Sequence, residues 1–135
     1  MSVRQYQYAK RTKVPVPKTR SDIERVIRNH SGKAYISGWD DRGKAMVAFK
    51  LKERLIRFIM HDNEGQPDMR RWRALMLVIK AKLESVASGI ETVEEAFLAN
   101  IVTADGSTVW ERVREPLKLE YERQASVPML EGVEK

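Results

Sequence analysis

The sequence predicts an α+β domain: a three-stranded antiparallel meander covered by one long helix, with a short N-terminal helix and two or three C-terminal helices. Three observations lead there. Trp72, Leu75, Met76, Ile79, Leu83 and Val86 recur at helical spacing through RRWRALMLVIKAKLESVAS, the longest stretch of clear period in the chain. Upstream of it, three segments alternate apolar and polar residues with the two-residue period of half-buried strands. Downstream, two Thr-x-x-Glu steps carry the capping-box signature of helix starts.

Taken in order, residues 1–20 show no sustained period and read as a basic N-terminal arm. Val14-Pro15-Val16-Pro17 looks extended, because proline fixes φ and removes a donor. Ser21-Asp22-Ile23-Glu24 reads as a capping box that opens the first helix, with Ile23, Val26 and Ile27 inward and Gly32 at its end. Strands follow at Lys33–Trp39, Lys44–Leu51 and Arg54–Met60. Asp40-Asp41-Arg42-Gly43 has tight-turn chemistry, whereas Lys52-Glu53 must turn the chain without the usual Asn-Gly pair.

In the second strand Ala45, Val47, Phe49 and Leu51 share one face; in the third, Ile56, Phe58 and Met60 do so. A polar loop at 61–67 leads to the long helix, which Asp68 can cap and Gly89 can close. Thr92-Val93-Glu94-Glu95 opens a short third helix carrying Ala96, Phe97, Ile101 and Val102. Asp105-Gly106 makes a turn, and Thr108-Val109-Trp110-Glu111 starts a last helix with Trp110, Val113, Leu117 and Tyr121 inward. Pro116 should split that helix into two pieces near Glu115. Residues 21–124 thus form a single domain, and 125–135 a loose tail.

With no cysteine there is no disulfide framework or thiolate metal site, which suits a reducing compartment. No apolar run approaches the roughly 18 residues of a membrane span, and the N-terminus lacks the apolar core of a secretory signal. A cytoplasmic protein is expected, with no membrane partner. The net charge of +6 is unevenly placed: residues 1–20 hold six bases and no acid, while from residue 89 onward ten acids face five bases. Such asymmetry points to a polyanion-facing side, or to chains meeting head to tail.

The hairpin YISGWDDRGKAMVAFKLKERLIRF and the run from RRWRALMLVIKAKLESVAS through GIETVEEAFLANIV to ADGSTV resemble a group of small bacteriophage- and prophage-encoded proteins of unknown function. The resemblance covers about Tyr8 to Pro128, and its most specific parts are the long helix, GIETVEEAFLANIV and the ADGSTV turn. It implies a viral or prophage source. It brings no activity, cofactor or catalytic residue.

No nucleophile elbow, phosphate loop or dinucleotide fingerprint is present, so neither an enzyme nor a cofactor is expected. His61 lies near Asp62, Glu64 and Asp68, an oxygen-rich cluster that offers a divalent-cation site, and with it a metal-assisted enzyme, as the minor alternative; the spacing matches no metal loop and suits a turn before a helix cap. His30 falls in the last turn of the first helix, where a cation favours the dipole.

Nucleic-acid binding draws on more residues. The arm offers Arg4, Lys10, Arg11, Lys13, Lys18 and Arg20 for phosphates, with Tyr6 and Tyr8 interleaved as stacking platforms. A strand face adds Lys44, Lys50 and Arg57, and Arg70 and Arg71 extend the patch at the start of the long helix. Those arginines and Arg73 oppose the helix dipole, so the trio needs an anionic partner inside or outside the protein. Tyr35 and Trp39 read as core residues, with base stacking as the alternative if they face out. The competing reading is an interaction protein that binds and inhibits or redirects a host protein, with self-association through Leu55 and Ile59 belonging to the same class.

The core assignment carries a direct test. Phe49, Phe58, Trp72 and Ile79 should be buried together, and Ile79→Ala should cost about 2–5 kcal/mol in urea denaturation. An unchanged midpoint would refute the inward face of the long helix.

Overall fold

A computed structural model of the chain describes residues 13–39, 44–61 and 68–130, and the side chain of His61 is not among what it describes. The element order is α1 (Val16–Asn29), β1 (Lys33–Trp39), β2 (Lys44–Leu51), β3 (Arg54–His61), α2 (Met69–Ala87), α3 (Val93–Phe97), a 3-10 turn (Leu98–Asn100) and α4 (Val109–Arg123). The three strands form one antiparallel sheet in the order β1-β2-β3. The class is therefore α+β. The Asp40–Gly43 turn, the 62–67 loop, residues 1–12 of the arm and the end of the tail lie outside the described residues.

The strands follow from their alternation. Val47 faces Phe58, Phe49 faces Ile56 and Ala45 faces Met60, so one side of β2 and β3 is apolar up to Arg54, which stands opposite Leu51 beside the hairpin turn. Lys52 and Glu53 both take positive φ (46° and 67°), the pairing a two-residue hairpin requires, although neither is glycine. β1 carries an irregularity between Lys33 and Ile36, with Ala34 at φ 56°.

The inner face meets helices on one side. Phe49, Phe58, Trp72 and Ile79 are each at least nine-tenths buried and belong to one cluster. α2 supplies Trp72, Met76, Ile79 and Leu83 to it, and α1 supplies Val16, Ile23 and Ile27. α3 adds Phe97, whose ring stands edge-on to Phe49 (5.9 Å) and Phe58 (6.2 Å). Asp68 caps α2 by accepting from the backbone N–H groups of Arg70 and Arg71. Gly89, at φ 77°, follows its end.

Several elements depart from the sequence expectation. α1 begins at Val16 rather than after Ser21, because prolines are tolerated in a first helical turn whose N–H groups have no intrahelical partner. Val16 and Thr19 are buried, so part of the supposed arm belongs to the core. Gly32 stands just past the end of α1 as expected, but the left-handed residue there is Ser31 (φ 68°). Gly32 is needed for space, since a Cβ there would stand 2.4 Å from Ile27 Cγ2.

The third helix stops at Phe97, and Ile101 and Val102 are extended. Ile101 bridges Ile56, and the Val102 N–H donates to the Leu55 carbonyl (2.9 Å), which covers part of the outer edge of β3. α4 passes through Pro116 as one element rather than two. A single proline removes one rung of the ladder, and the rungs on either side hold.

One buried carboxylate joins the two main helices. Asp22 is almost fully buried, and it accepts from Lys18 (2.6 Å), Arg25 (2.9 Å) and, across to α2, Arg73 (2.8 Å). This is the anionic partner that the start of α2 needs. The Lys18 and Arg73 hydrogen bonds lower the Asp22 pKa from 3.8 to about 2, against the effect of burial. Because the folded group titrates below its unfolded value, its contribution is complete above about pH 4 and is lost as pH falls towards 2. Asp22→Asn should therefore lower stability at neutral pH by about 2 kcal/mol, with the deficit fading as the pH is lowered. A deficit that persists unchanged in acid would show that the charge is not what joins the helices.

Candidate nucleic-acid interface

The strand register sorts the other side of the sheet. Lys50 pairs with Leu55 and Lys33, Ala48 with Arg57 and Ile36, Met46 with Ile59 and Gly38, and Lys44 with His61. Paired residues share a face, so Lys33, Lys44 and Lys50 stand with Ile36, Leu55 and Ile59 on the outer side. All six are exposed. The sequence grouping of Lys44, Lys50 and Arg57 on one strand face matches this register.

The three cations are not equivalent. Arg57 donates to Glu111 Oε1 (2.9 Å) and to the Gly106 carbonyl (3.0 Å), and its own carbonyl accepts from Asn100 Nδ2 (3.2 Å). Glu111 closes the capping box of α4, accepting from the Thr108 N–H and hydroxyl. Those two bonds, with Arg57 behind them, hold its carboxyl below the usual range. Arg57 thus anchors the start of α4 beside β3 instead of offering a free charge. Asp105 tightens the preceding turn by accepting from Thr103, from the Ser107 hydroxyl and from the Ser107 N–H, which lowers its pKa to about 2.

The anchored helix makes a groove with the sheet. It has a volume of about 360 Å³ and is lined by Lys44, Arg57, Ile59, Asn100, Trp110 and Arg114 among others. Trp110 is 49% exposed, Leu117 38% and Tyr121 80%, so the last helix does not turn these residues inward as its period suggested. No residue of α4 is buried. Sequence reasoning missed Trp110 and Arg114 as site residues, because their place depends on where α4 lies and not on its period.

The remaining candidates divide. Arg4, Lys10, Arg11, Tyr6 and Tyr8 lie outside the described residues. Lys13 is exposed ahead of α1, and Lys18 is tied to Asp22. Arg20 has a structural place: it lies 5.0 Å from the Trp39 ring and 5.9 Å from Trp72, and it donates to the Ser37 hydroxyl and carbonyl. Trp39 is partly exposed but stands edge-on to Trp72 at 6.4 Å. Tyr35 donates to the Arg20 carbonyl (3.2 Å), and burial pushes its phenol up.

Arg70 stands 3.6 Å from Asp68, and Arg71 is exposed. Both open the helix whose buried residues share the core with the inner face of the sheet. His30 Nδ1 donates to the Val26 carbonyl (3.0 Å) at the end of α1. Among the described residues no group of three His, Cys, Asp or Glu is arranged to hold a metal, and no helix is long and apolar enough to cross a membrane.

No protein-family model, curated protein or solved structure matches the chain. What the molecule does must therefore be read from its own geometry.

The role of Arg57 as an anchor is testable. Arg57→Met should cost about 1–3 kcal/mol, the range for a hydrogen bond to a charged group. Amide exchange should quicken in residues 103–113 while the β2 amides stay protected. Unchanged protection at the start of α4 would contradict the anchor.

Proposed function

We propose that this is a phage-type accessory protein that binds nucleic acid without catalysis, acting in the host cytoplasm. Its interface is the outer face of the sheet, supplemented by the basic residues ahead of α1. The observation that carries the reading is the sorting of cations. In the helical layer Lys18, Arg25 and Arg73 surround Asp22, and Arg20 lies against the rings of Trp39 and Trp72. On the outer face Lys33 and Lys50 are exposed to solvent. Lys44 and Lys50 sit six positions apart on β2, about 20 Å along the strand, with apolar Met46 and Ile59 between them. Such a row suits a chain of phosphates, whose counterions are released on binding.

The arrangement also rests on α2 lying across the inner face of the meander, which leaves the outer face as the open one. A second reading, an interaction protein that binds and inhibits or redirects a host protein, draws on the exposed Leu117 and Tyr121 of α4.

A salt titration separates them. Each neutralised phosphate contributes a slope of about −0.9 on duplex DNA or about −0.7 on single strands. Lys44→Glu with Lys50→Glu should flatten the slope and weaken binding at least tenfold while the melting temperature holds. Deleting residues 1–12 removes Arg4, Lys10 and Arg11 but leaves α1 whole, and should reduce the slope by about 2. No measurable binding by the intact protein at low salt, to DNA or RNA, would move the assignment to the protein-partner reading.

A further inference from the structure

We infer that the groove between β3 and α4 is a base-stacking pocket, and that the nucleic acid this protein prefers is single-stranded. The inference rests on the nucleic-acid reading above and narrows its ligand. A duplex shows a protein its phosphates and groove edges, whereas the faces of its bases are stacked away. A single strand offers phosphates and bare base faces together. The outer surface here is built for both.

Trp110, half-exposed in the first turn of α4, forms one wall of the groove, and Ile59 of β3 contributes an apolar side chain to it. Lys44 and Arg114 supply positive charge in the same lining. Glu111 is the one carboxylate among the lining residues, and Arg57 neutralises it at 2.9 Å. Ile36 and Leu55 continue the apolar surface from the groove across the sheet towards Lys33 and Lys50. The pattern is cation, apolar platform, cation. A row of phosphates alone would not call for the exposed aliphatic residues between the lysines, and a purely apolar partner would not call for the lysines.

The position of Trp110 follows from interactions already described. The Thr108–Glu111 capping box starts α4, and Arg57 binds Glu111 to the sheet, so the first turn is held at two points. A backbone turn held in this way loses little freedom when a base stacks on the indole that it carries.

The test uses the full chain and an oligothymidylate of about 12 nucleotides. Tryptophan emission should be quenched on binding, and the quench should largely disappear in Trp110→Phe, which retains Trp39 and Trp72. Trp110→Ala should bind about tenfold more weakly, with Trp110→Phe close to the parent. Arg114→Glu should weaken binding and flatten its salt slope. A duplex of oligothymidylate with its complement should bind less tightly than the single strand at the same salt.

Equal affinity of Trp110→Ala and the parent, or a duplex bound as tightly as the single strand, would overturn this inference while leaving the nucleic-acid reading in place. Failure of the parent to bind either form at low salt would instead remove the reading on which it rests. Loss of a dimer by Trp110→Ala in sedimentation, with no change in oligonucleotide affinity, would assign Trp110 to contact between copies of the chain and overturn the inference. Melting curves of both Trp110 variants separate lost stacking from lost fold, and Trp110→Phe keeps the test decisive if the alanine variant unfolds.

Discussion

A sheet has two faces, and the helices of this chain bury one of them. α1, α2 and α3 all send side chains into the cluster against Val47, Phe49, Ile56 and Phe58. What remains for the outer side is the 3-10 turn, the extended pair Ile101–Val102 and the start of α4, which meet the sheet at β3. The hairpin register cannot slip to relieve this, since moving β2 by one residue would send Phe49 out and lysines into the core. The exposure of the outer face is thus a consequence of the same alternation that builds the core.

Charge obeys the same division. A cation near the start of a helix opposes the dipole, and a buried one needs a partner. Arg73 meets both demands through Asp22, a residue 51 positions away in the chain. Arg20 meets the second through two indole rings and Ser37. Arg57 meets it through Glu111. Each of these cations therefore sets the position of an element: α2 against α1, the β1 edge against the helices, and α4 against β3. Lys33 and Lys50 of the outer face are exposed and set no element. That contrast, more than the net charge of +6, separates a structural basic residue from one available to a ligand.

The strands were legible in the sequence because a two-residue period leaves little choice of face, and their observed ends at Lys33–Trp39 and Lys44–Leu51 match it. The caps at Asp68, Thr92 and Thr108 were legible because each needs only local chemistry. Three features were not. Pro15 and Pro17 suit an extended spacer and a first helical turn equally, and burial of Val16 and Thr19 decides for the helix. Ile101 and Val102 have the spacing to continue α3, but pairing with β3 draws them into extended backbone. Trp110, Leu117 and Tyr121 mark an apolar stripe, and a stripe says which side of a helix is apolar, not whether anything covers it. The outer surface was half legible for the same reason: the shared face of Lys44 and Lys50 follows from strand period, whereas Trp110 and Arg114 join Lys44 and Arg57 in one groove only through the place of α4 in the fold.

The central claim is that the open face of the sheet is the face that meets nucleic acid. Two-dimensional amide and indole NMR of the full chain, titrated with an oligothymidylate, tests it residue by residue. The account predicts that shifts concentrate at Lys44, Met46, Lys50, Leu55 and Ile59 and at the Trp110 indole, with the buried Trp72 indole unmoved. Shifts confined to the amides of α1 and α2, or none at saturating oligonucleotide, would contradict it.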